Sequence, residues 1–264
     1  MSGVLNIIHC GGHRTGSTAL QAWLYVNRQT LLSHGYPVPT PMTGGGGDTV
    51  HHGELAWALW PEQLTWLRPL SDSLSDTQIR FHYRRILSSN TRLLLSSEPD
   101  FLFILAREPY RRRFLDVIGE RTSLVAYSRK PSEIMWSLYQ YDKSYHGYSA
   151  SYISCLEMRG EYMLRLVKRA LSAIRQTPHS RVLYFPTSDE GQLNWNIGQH
   201  FAAEFLRIRG KALPSPELQR QRQRPPADLG RWSDILTTED LNWADRRHHD
   251  SPQPSTLNPQ PSAE

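Results

Sequence analysis

Near the amino terminus, a turn with two glycines separates an apolar run from a helical pattern, and this order constrains the fold more than any other feature. The run Val4–Ile8 is typical of a buried strand, and Gly11 and Gly16 follow it with the spacing G-x-x-x-x-G. Apolar residues then recur with a helical period, which predicts a helix over Ser17–Ser33. Backbone N–H groups and the positive end of a helix dipole converge at such a turn. The sequence therefore predicts an α/β fold with an anion-binding loop after its first strand.

The turn nearly matches the nucleotide-triphosphate loop G-x-x-x-x-G-K-[ST], but it lacks the lysine. Ser17 occupies the lysine position, Thr18 follows it, and the basic residue is Arg14, inside the loop. A kinase or ATPase of the usual type needs that lysine on the β- and γ-phosphates. We therefore expect a loop that holds a phosphate but handles the transferable group differently.

A second apolar run, Leu124–Ser128, is followed by a basic residue and a helix start. Pro131 falls in the first helical turn, where its missing N–H costs nothing. Arg129 ends the strand, and Ser137 lies on the helix eight residues later. An arginine offers a charge-assisted fork to a phosphate, and a serine hydroxyl adds a donor. The alternative is a surface arginine and a solvated serine.

A third apolar run, Arg92–Leu95, ends in the polar residues Ser96, Ser97 and Glu98. It is consistent with a buried parallel strand. Ligands of open α/β sheets bind at the carboxyl ends of the strands, so these polar residues are expected to face the site.

The segment Arg14-Thr15-Gly16-Ser17-Thr18 resembles the 5′-phosphosulfate loop of sulfotransferases, [KR]-[TS]-G-[TS]-[TS]. The longer string, with His9 before the loop and Leu20-Gln21 after it, resembles the bacterial branch that acts mostly on carbohydrates and other small molecules. The resemblance covers roughly residues 4–207 and departs from the pattern at Gly12, at His13 and in the tail. It implies 3′-phosphoadenosine 5′-phosphosulfate (PAPS) as the donor, with the 5′-phosphate held by Arg14, Thr15, Gly16, Ser17 and Thr18.

The same resemblance implies that Arg129 and Ser137 clamp the 3′-phosphate of PAPS. The bacterial branch frequently carries Ser-Ser-Glu after the third run, which makes Glu98 a candidate for the base that takes the acceptor proton. His52, in a segment similar to the branch's His-x-x-Leu-Ala, is a second candidate, and the choice between them stays open. Glu98 could instead be a helix-start carboxylate or pair with an arginine, and His52 could be a surface-loop histidine.

The expected reaction is in-line transfer of a sulfuryl group from PAPS to a hydroxyl, or less readily an amine, of a carbohydrate or another small molecule. No metal is expected, because Arg14 supplies the positive charge. Two alternatives remain: a P-loop kinase that uses ATP, and a non-catalytic nucleotide-binding protein with a degenerate loop. The sequence names neither the acceptor nor the oligomeric state.

Composition sets limits on partners and location. The chain has 264 residues and a formal net charge of +5, with a pI near 9.3 for its composition. This charge suits a nucleotide ligand, but no nucleic-acid recognition motif is present. Cys10 and Cys155 form no disulfide framework, and no zinc spacing occurs. With no leader pattern and no apolar run long enough to span a membrane, we expect a cytoplasmic protein.

The alternation of strands and helices predicts one domain over residues 1–212, a P-loop-type parallel sheet with helices on both faces. Residues 213–264 are rich in proline and arginine, which predicts a partly disordered tail. Its alternating arginines either close over the bound nucleotide or form a solvated linker; they are Arg220, Arg222 and Arg224.

Overall fold

Four parallel strands form the central sheet in the order β2-β1-β3-β4. They are β1 (Asn6–Cys10), β2 (Leu94–Ser97), β3 (Thr122–Ser128) and β4 (Arg181–Tyr184). This arrangement comes from a computed structural model. It describes residues 6–11, 15–42, 49–64, 74–89, 92–97, 100–128, 131–145, 147, 149–184, 197–208 and 213.

The three strands β1, β2 and β3 are buried along their whole length, which explains why they appear in the sequence as continuous apolar runs. Asn6 is a buried polar residue at the start of β1. Its side-chain amide donates to the carbonyl of Leu87 at 2.7 Å, and its Oδ1 accepts from the N–H of Leu93 at 3.3 Å. These two bonds fix the start of β1 against the segment that leads into β2.

The helices, in chain order, connect the strands and cover the sheet. They are α1 (Ser17–Val26), α2 (Arg28–Ser33), α3 (Gly53–Leu59), α4 (Asp76–Leu87), α5 (Asp100–Leu105), α6 (Tyr110–Ile118), α7 (Pro131–Tyr145), α8 (Tyr152–Cys155), α9 (Glu161–Gln176) and α10 (Ile197–Phe201). Two π-helical turns, Leu156–Gly160 and Ala202–Leu206, extend α8 and α10.

Helices pack on both faces of the sheet. On one face, Ile7, Val125 and Tyr127 join a buried cluster with Trp23 of α1 and Phe201 of α10. Successive strand residues point to opposite faces, and on the other face α5 contacts β1 while α9 contacts β3 and β4. The predicted α/β fold, with a parallel sheet between two helical layers, is confirmed.

The strand order determines where a ligand site is expected. The chain leaves β1 toward β2 on one side and leaves β3 toward β4 on the other. β1 and β3 are neighbours, with His9 level with Val125. The crevice outside their carboxyl ends is therefore a topological switch point, where open α/β sheets bind ligands.

One expectation differs in the structure, and another is not tested by it. The helix predicted over Ser17–Ser33 is interrupted at Asn27, whose side-chain amide donates to the carbonyl of Trp23 at 2.9 Å. The tail beyond Leu213 and the arginines within it lie outside the described residues, so the domain boundary and the partly disordered tail stay predictions.

Candidate functional site

Each glycine of the loop has a structural reason: Gly11 has no space for a side chain, and Gly16 has a positive φ. A Cβ atom on Gly11 would lie 2.0 Å from Ser17 Oγ and 2.7 Å from Ser17 Cβ, so no side chain fits there. Gly16 has φ +86°, a left-handed conformation that favours glycine. Ser17 thus packs against Gly11, and Gly16 leads into α1. The predicted strand and helix are present, and residues 12–14 of the turn lie outside the described residues.

The first turn of α1 offers backbone donors toward the loop. Its N-cap residue, Gly16, has no side chain to cap the helix, the first turn carries no acidic residue, and the first i to i−4 bond joins the N–H of Leu20 to the carbonyl of Gly16 at 3.0 Å. The N–H groups before Leu20 have no acceptor within the helix, because no helical carbonyl lies four residues before them. The position of these donors suits an anion.

The hydroxyl residues of the predicted loop differ in exposure. Thr15 and Ser17 are buried, and their hydroxyl oxygens lie 3.4 Å apart. Thr18 is exposed at the first turn of the helix. The buried pair packs beneath the loop, whereas Thr18 is accessible to a ligand.

His9 lies beside Gly11, the first glycine of the loop, and was not predicted as a site residue. Its Nδ1 is 2.9 Å from Ser96 Oγ, and its Cε1 is 3.0 Å from the position of a Gly11 Cβ. Burial lowers the pKa of His9 to about 3, so the ring is neutral at physiological pH. Its Nε2 is buried and has no hydrogen-bond partner among the described residues. The sequence signal for this role is a histidine two residues before the first glycine of the loop, which is also part of the resemblance to the bacterial branch.

The segment expected to hold a second phosphate leaves the same edge of the sheet. β3 ends at Ser128, and α7 begins at Pro131. Ser137 lies on α7, part-exposed, two turns from the helix start. Because β3 lies beside β1, both predicted phosphate-binding segments follow neighbouring parallel strands.

Three predicted site residues, Arg14, Glu98 and Arg129, lie outside the described residues. Their places in the sequence are still fixed by described neighbours. Arg14 directly precedes Thr15, Glu98 directly follows the last residue of β2, and Arg129 directly follows the last residue of β3.

His52 is a buried residue, not a surface-loop histidine. Its Nε2 lies 3.1 Å from the carbonyl of Pro39, which can only accept, so Nε2 carries the proton. Its Nδ1 then accepts from the N–H of Ser96 at 3.1 Å. The N–H of His52 also donates to the carbonyl of Ser96 at 2.8 Å, and burial lowers the pKa of the ring. Nδ1 thus bonds the edge strand β2 at Ser96, while Nε2 bonds the backbone of the preceding segment at Pro39.

Beside it, His51, Ser97 and Asp100 meet at the carboxyl end of β2. His51 Nε2 lies 3.0 Å from Asp100 Oδ2, and Ser97 Oγ donates to the same carboxylate oxygen at 2.9 Å. Asp100 is buried, whereas the side chain of His51 keeps 25% of its exposure. The pairing with His51 spans 49 residues, so no local pattern could have predicted it.

Two further findings concern the described residues as a whole. None of the helices is long and apolar enough to cross a membrane. No group of three or more histidine, cysteine, aspartate or glutamate side chains is placed to hold a metal ion within that part of the chain.

Comparisons with known proteins give no family for this chain. No protein-family model and no curated protein matches the sequence. Among solved structures, a sulfotransferase from Alicyclobacillus acidocaldarius is similar, with a TM-score of 0.47 and 12% identity over 90% of this chain and 94% of that chain. The YorR protein from Bacillus subtilis, in complex with phosphorylated GDP, has a TM-score of 0.37 and 10% identity over 75% and 94% of the two chains. At such low identity, the chemistry of the site has to be argued from its own residues.

Proposed function

We propose that this protein transfers a sulfuryl group from PAPS to a hydroxyl, or less readily an amine, of a carbohydrate or another small molecule. One observation carries the proposal. The two segments that suit phosphates follow β1 and β3, which are neighbouring parallel strands at the topological switch point of the sheet. A nucleotide with phosphates at both its 5′ and 3′ positions matches two anion sites placed side by side.

The residues after β1 fit the 5′-phosphate of such a nucleotide. Gly11 allows Ser17, at the start of α1, to pack close to the end of β1, and the first turn of α1 offers N–H donors that its N-cap Gly16 does not cap. His9 Nε2, buried beside Gly11 with no partner among the described residues, adds a polar atom there. Arg14 and Thr18 would then hold the phosphate from the loop and from the exposed start of the helix.

The residues after β3 fit the 3′-phosphate. Arg129 follows the strand directly, and Ser137 is part-exposed on the helix that leads away from the sheet. An arginine fork and a hydroxyl together supply charge and directed donors to a phosphate. ATP has no 3′-phosphate, so this pair would distinguish PAPS from ATP.

Charge stabilisation and positioning dominate reactions of this kind, because the transition state is loose. When bound, PAPS supplies the sulfuryl group and leaves as 3′,5′-adenosine bisphosphate. Arg14 would neutralise the charge that develops on the departing oxygen. The acceptor proton needs a base at the carboxyl end of β2, where Glu98 remains a proposed candidate. The engagement of both nitrogens of His52 by the backbone favours a structural role for that residue.

The geometry of Ser17 argues against the kinase alternative. Its Oγ lies 2.0 Å from the position of a Gly11 Cβ, so this side chain packs inward beneath the loop. A P-loop kinase needs a lysine at this position that extends to the β- and γ-phosphates. A non-catalytic nucleotide-binding protein would share the same loop, and only turnover separates it from a transferase.

Transfer of radiolabelled sulfate from PAPS to a panel of sugars and phenols tests the proposal. Arg14→Ala is expected to reduce turnover by roughly 100-fold or more, because removing one hydrogen-bond donor that stabilises a transition state typically has an effect of this size. Arg14→Lys should keep much of the activity, because lysine preserves the charge at this position. Turnover unchanged in Arg14→Ala would contradict the role of the arginine. Binding of the bisphosphate without turnover on any acceptor would favour the non-catalytic alternative.

A further inference from the structure

An open groove between α4 and α6 carries charged side chains that the proposed nucleotide site does not use. Its volume is about 500 Å³, within the range of small-ligand sites. Positions three or four apart share a helix face, so one face of α4 meets one face of α6. The residues that line the groove are Asp76, Arg80 and Arg84 of α4, and Arg113, Asp116 and Val117 of α6.

Both helices end away from the proposed nucleotide site. The carbonyl of Leu87, the last residue of α4, accepts from the side-chain amide of Asn6 at the start of β1, at 2.7 Å. The carbonyl of Ile118, the last residue of α6, accepts from Thr122 Oγ1 at the start of β3, also at 2.7 Å. The last turns of both helices, which carry part of the groove, therefore lie toward the amino edge of the sheet. The nucleotide is proposed at the carboxyl edge.

One arginine of the groove is already neutralised and fixed. Arg80 Nη2 pairs with Asp76 Oδ2 at 2.9 Å, and Arg80 Nη1 donates to the carbonyl of Ala58 at 2.9 Å. This pair adds no net charge, so it shapes the groove without attracting an ion.

The other three charges of the groove are exposed: Arg84, Arg113 and Asp116. Within the part of the chain that the structure describes, none of their side chains makes an ion pair or a hydrogen bond. Arg113 lies over the ring of Tyr110, with 5.8 Å from the guanidinium carbon to the ring centroid. This contact restrains the side chain but leaves its charge unbalanced.

These groups define the chemistry of a matching ligand. A guanidinium binds a carboxylate or a phosphate through two parallel N–H bonds, whereas the carboxylate of Asp116 can only accept and suits a hydroxyl. Two guanidiniums and one carboxylate leave an excess of positive charge, which favours a net anion over a zwitterion. The same carboxylate repels a polymer that carries a negative charge on every unit.

We propose that this groove binds a small hydroxylated anion, a sugar that carries a carboxylate or a phosphate group. Arg84 and Arg113 bind the anionic group, and Asp116 accepts a hydrogen bond from a hydroxyl of the same molecule. The inference does not depend on sulfuryl transfer, because no residue of the groove belongs to the proposed nucleotide site.

Calorimetric titration of the full-length protein with glucuronate and with glucose 6-phosphate tests the groove. At least one of them is expected to bind. Arg84→Gln and Arg113→Gln are each expected to weaken that binding about 10-fold or more, because each removes a hydrogen-bonding partner with a full charge. Both positions are exposed, so neither variant is expected to impair folding. If neither sugar binds, or if neither variant weakens binding, the proposal is wrong.

Matched ligands test the hydroxyl contact. Cyclohexanecarboxylate has a six-membered ring and a carboxylate but no hydroxyls, and it should bind more weakly than glucuronate. Inorganic phosphate is the corresponding control for glucose 6-phosphate. Binding of these anions as tight as that of the sugars would contradict the assigned role of Asp116.

A matched variant tests whether the groove, and not the general charge of α6, binds the anion. Arg112 is exposed beside Arg113 but does not line the groove. Arg112→Gln should therefore leave the affinity unchanged. Equal weakening by Arg112→Gln and Arg113→Gln would overturn the assignment to the groove.

The nucleotide separates this inference from the proposed function. Saturating 3′,5′-adenosine bisphosphate should not displace the sugar, and displacement would contradict a separate site. A protein that binds the sugar but not the bisphosphate would support the groove, whereas the proposed function would fail. The reverse result would support the nucleotide site and remove the groove.

Discussion

At Gly11, the Cβ of any other residue would clash with Ser17 at the start of α1. Its inner side is filled by Ser17 Oγ and the ring of His9, and the N–H of the glycine is bonded to the carbonyl of Ser97. The glycine therefore joins three parts of the site: the floor of the loop, the start of α1 and the end of β2.

Gly11→Ala is expected to destabilise the protein by about 1–3 kcal/mol, the usual cost of overpacking, and to weaken bisphosphate binding. Urea unfolding and calorimetric titration with 3′,5′-adenosine bisphosphate measure the two effects. Gly198→Ala is the matched control, since its Cβ would lie 2.2 Å from the ring of Trp23 and not in the loop. A Gly11→Ala protein that binds the bisphosphate as tightly as the control would contradict this account of the loop.

The buried His9 predicts a loss of stability in acid. Its pKa is about 3 in the folded protein against 6.5 ordinarily, so the unfolded chain binds more protons between these values. Stability is therefore fully present above pH 6.5 and is lost as the pH falls. His9 alone is expected to remove about 2 kcal/mol between pH 7 and pH 5.

His9→Gln removes the titrating ring but keeps a polar group beside Ser96. We expect urea unfolding of this variant to show a smaller decrease between pH 7 and pH 5 than the unaltered protein. An equal decrease in both proteins would mean that other groups, such as the buried His52, cause the acid sensitivity.

Some residues of the site could be identified from the sequence, whereas others depend on contacts between distant segments. Gly11 and Gly16 follow from the motif, because close approach and positive φ are local backbone requirements. The structural role of His52 and the pairing of His51 with Asp100 depend on contacts across 44 and 49 residues. Such contacts are set by strand order, which a single sequence does not show residue by residue.

At the scale of elements, helix starts follow capping rules where a capping side chain exists. α4 begins with a capping box: Ser75 Oγ accepts from the N–H of Gln78 at 3.2 Å, and the side chain of Gln78 accepts from the N–H of Ser75 at 2.8 Å. α1 has no such cap. The contrast is consistent with a start of α1 that is reserved for a ligand.

Ser75→Ala is expected to cost about 1 kcal/mol of stability, because it removes one half of the capping box. The loss should appear in urea unfolding, whereas bisphosphate affinity should stay the same, since α4 carries none of the residues proposed to bind the nucleotide. A variant as stable as the unaltered protein would show that the cap contributes nothing.

The elements themselves were largely predictable from periodicity. The runs Val4–Ile8, Arg92–Leu95 and Leu124–Ser128 overlap the three buried strands, because strands covered on both faces are continuously apolar. The interruption of the first helix at Asn27 was not predicted. It depends on a side-chain bond to the carbonyl of Trp23, which competes with the helical pattern.

At the scale of the whole molecule, the strand order brings distant segments to one edge. The loop after β1 and the turn after β3 are more than 100 residues apart in the sequence, yet they follow adjacent strands. The sequence predicted a parallel sheet and two phosphate-binding segments, but only the topology shows that their strands are neighbours. This juxtaposition is the central claim, because it predicts a ligand with two separate phosphate groups.

A thermal shift with 3′,5′-adenosine bisphosphate, compared with 5′-AMP and with ATP and magnesium, tests this claim most directly. At about 100 times the dissociation constant, binding adds roughly 2.7 kcal/mol, which raises the Tm of a chain of this size by several degrees. The account predicts a shift with the bisphosphate that exceeds the shift with 5′-AMP and disappears in Arg129→Ala. A shift with ATP and magnesium and none with the bisphosphate would contradict it and favour the kinase alternative.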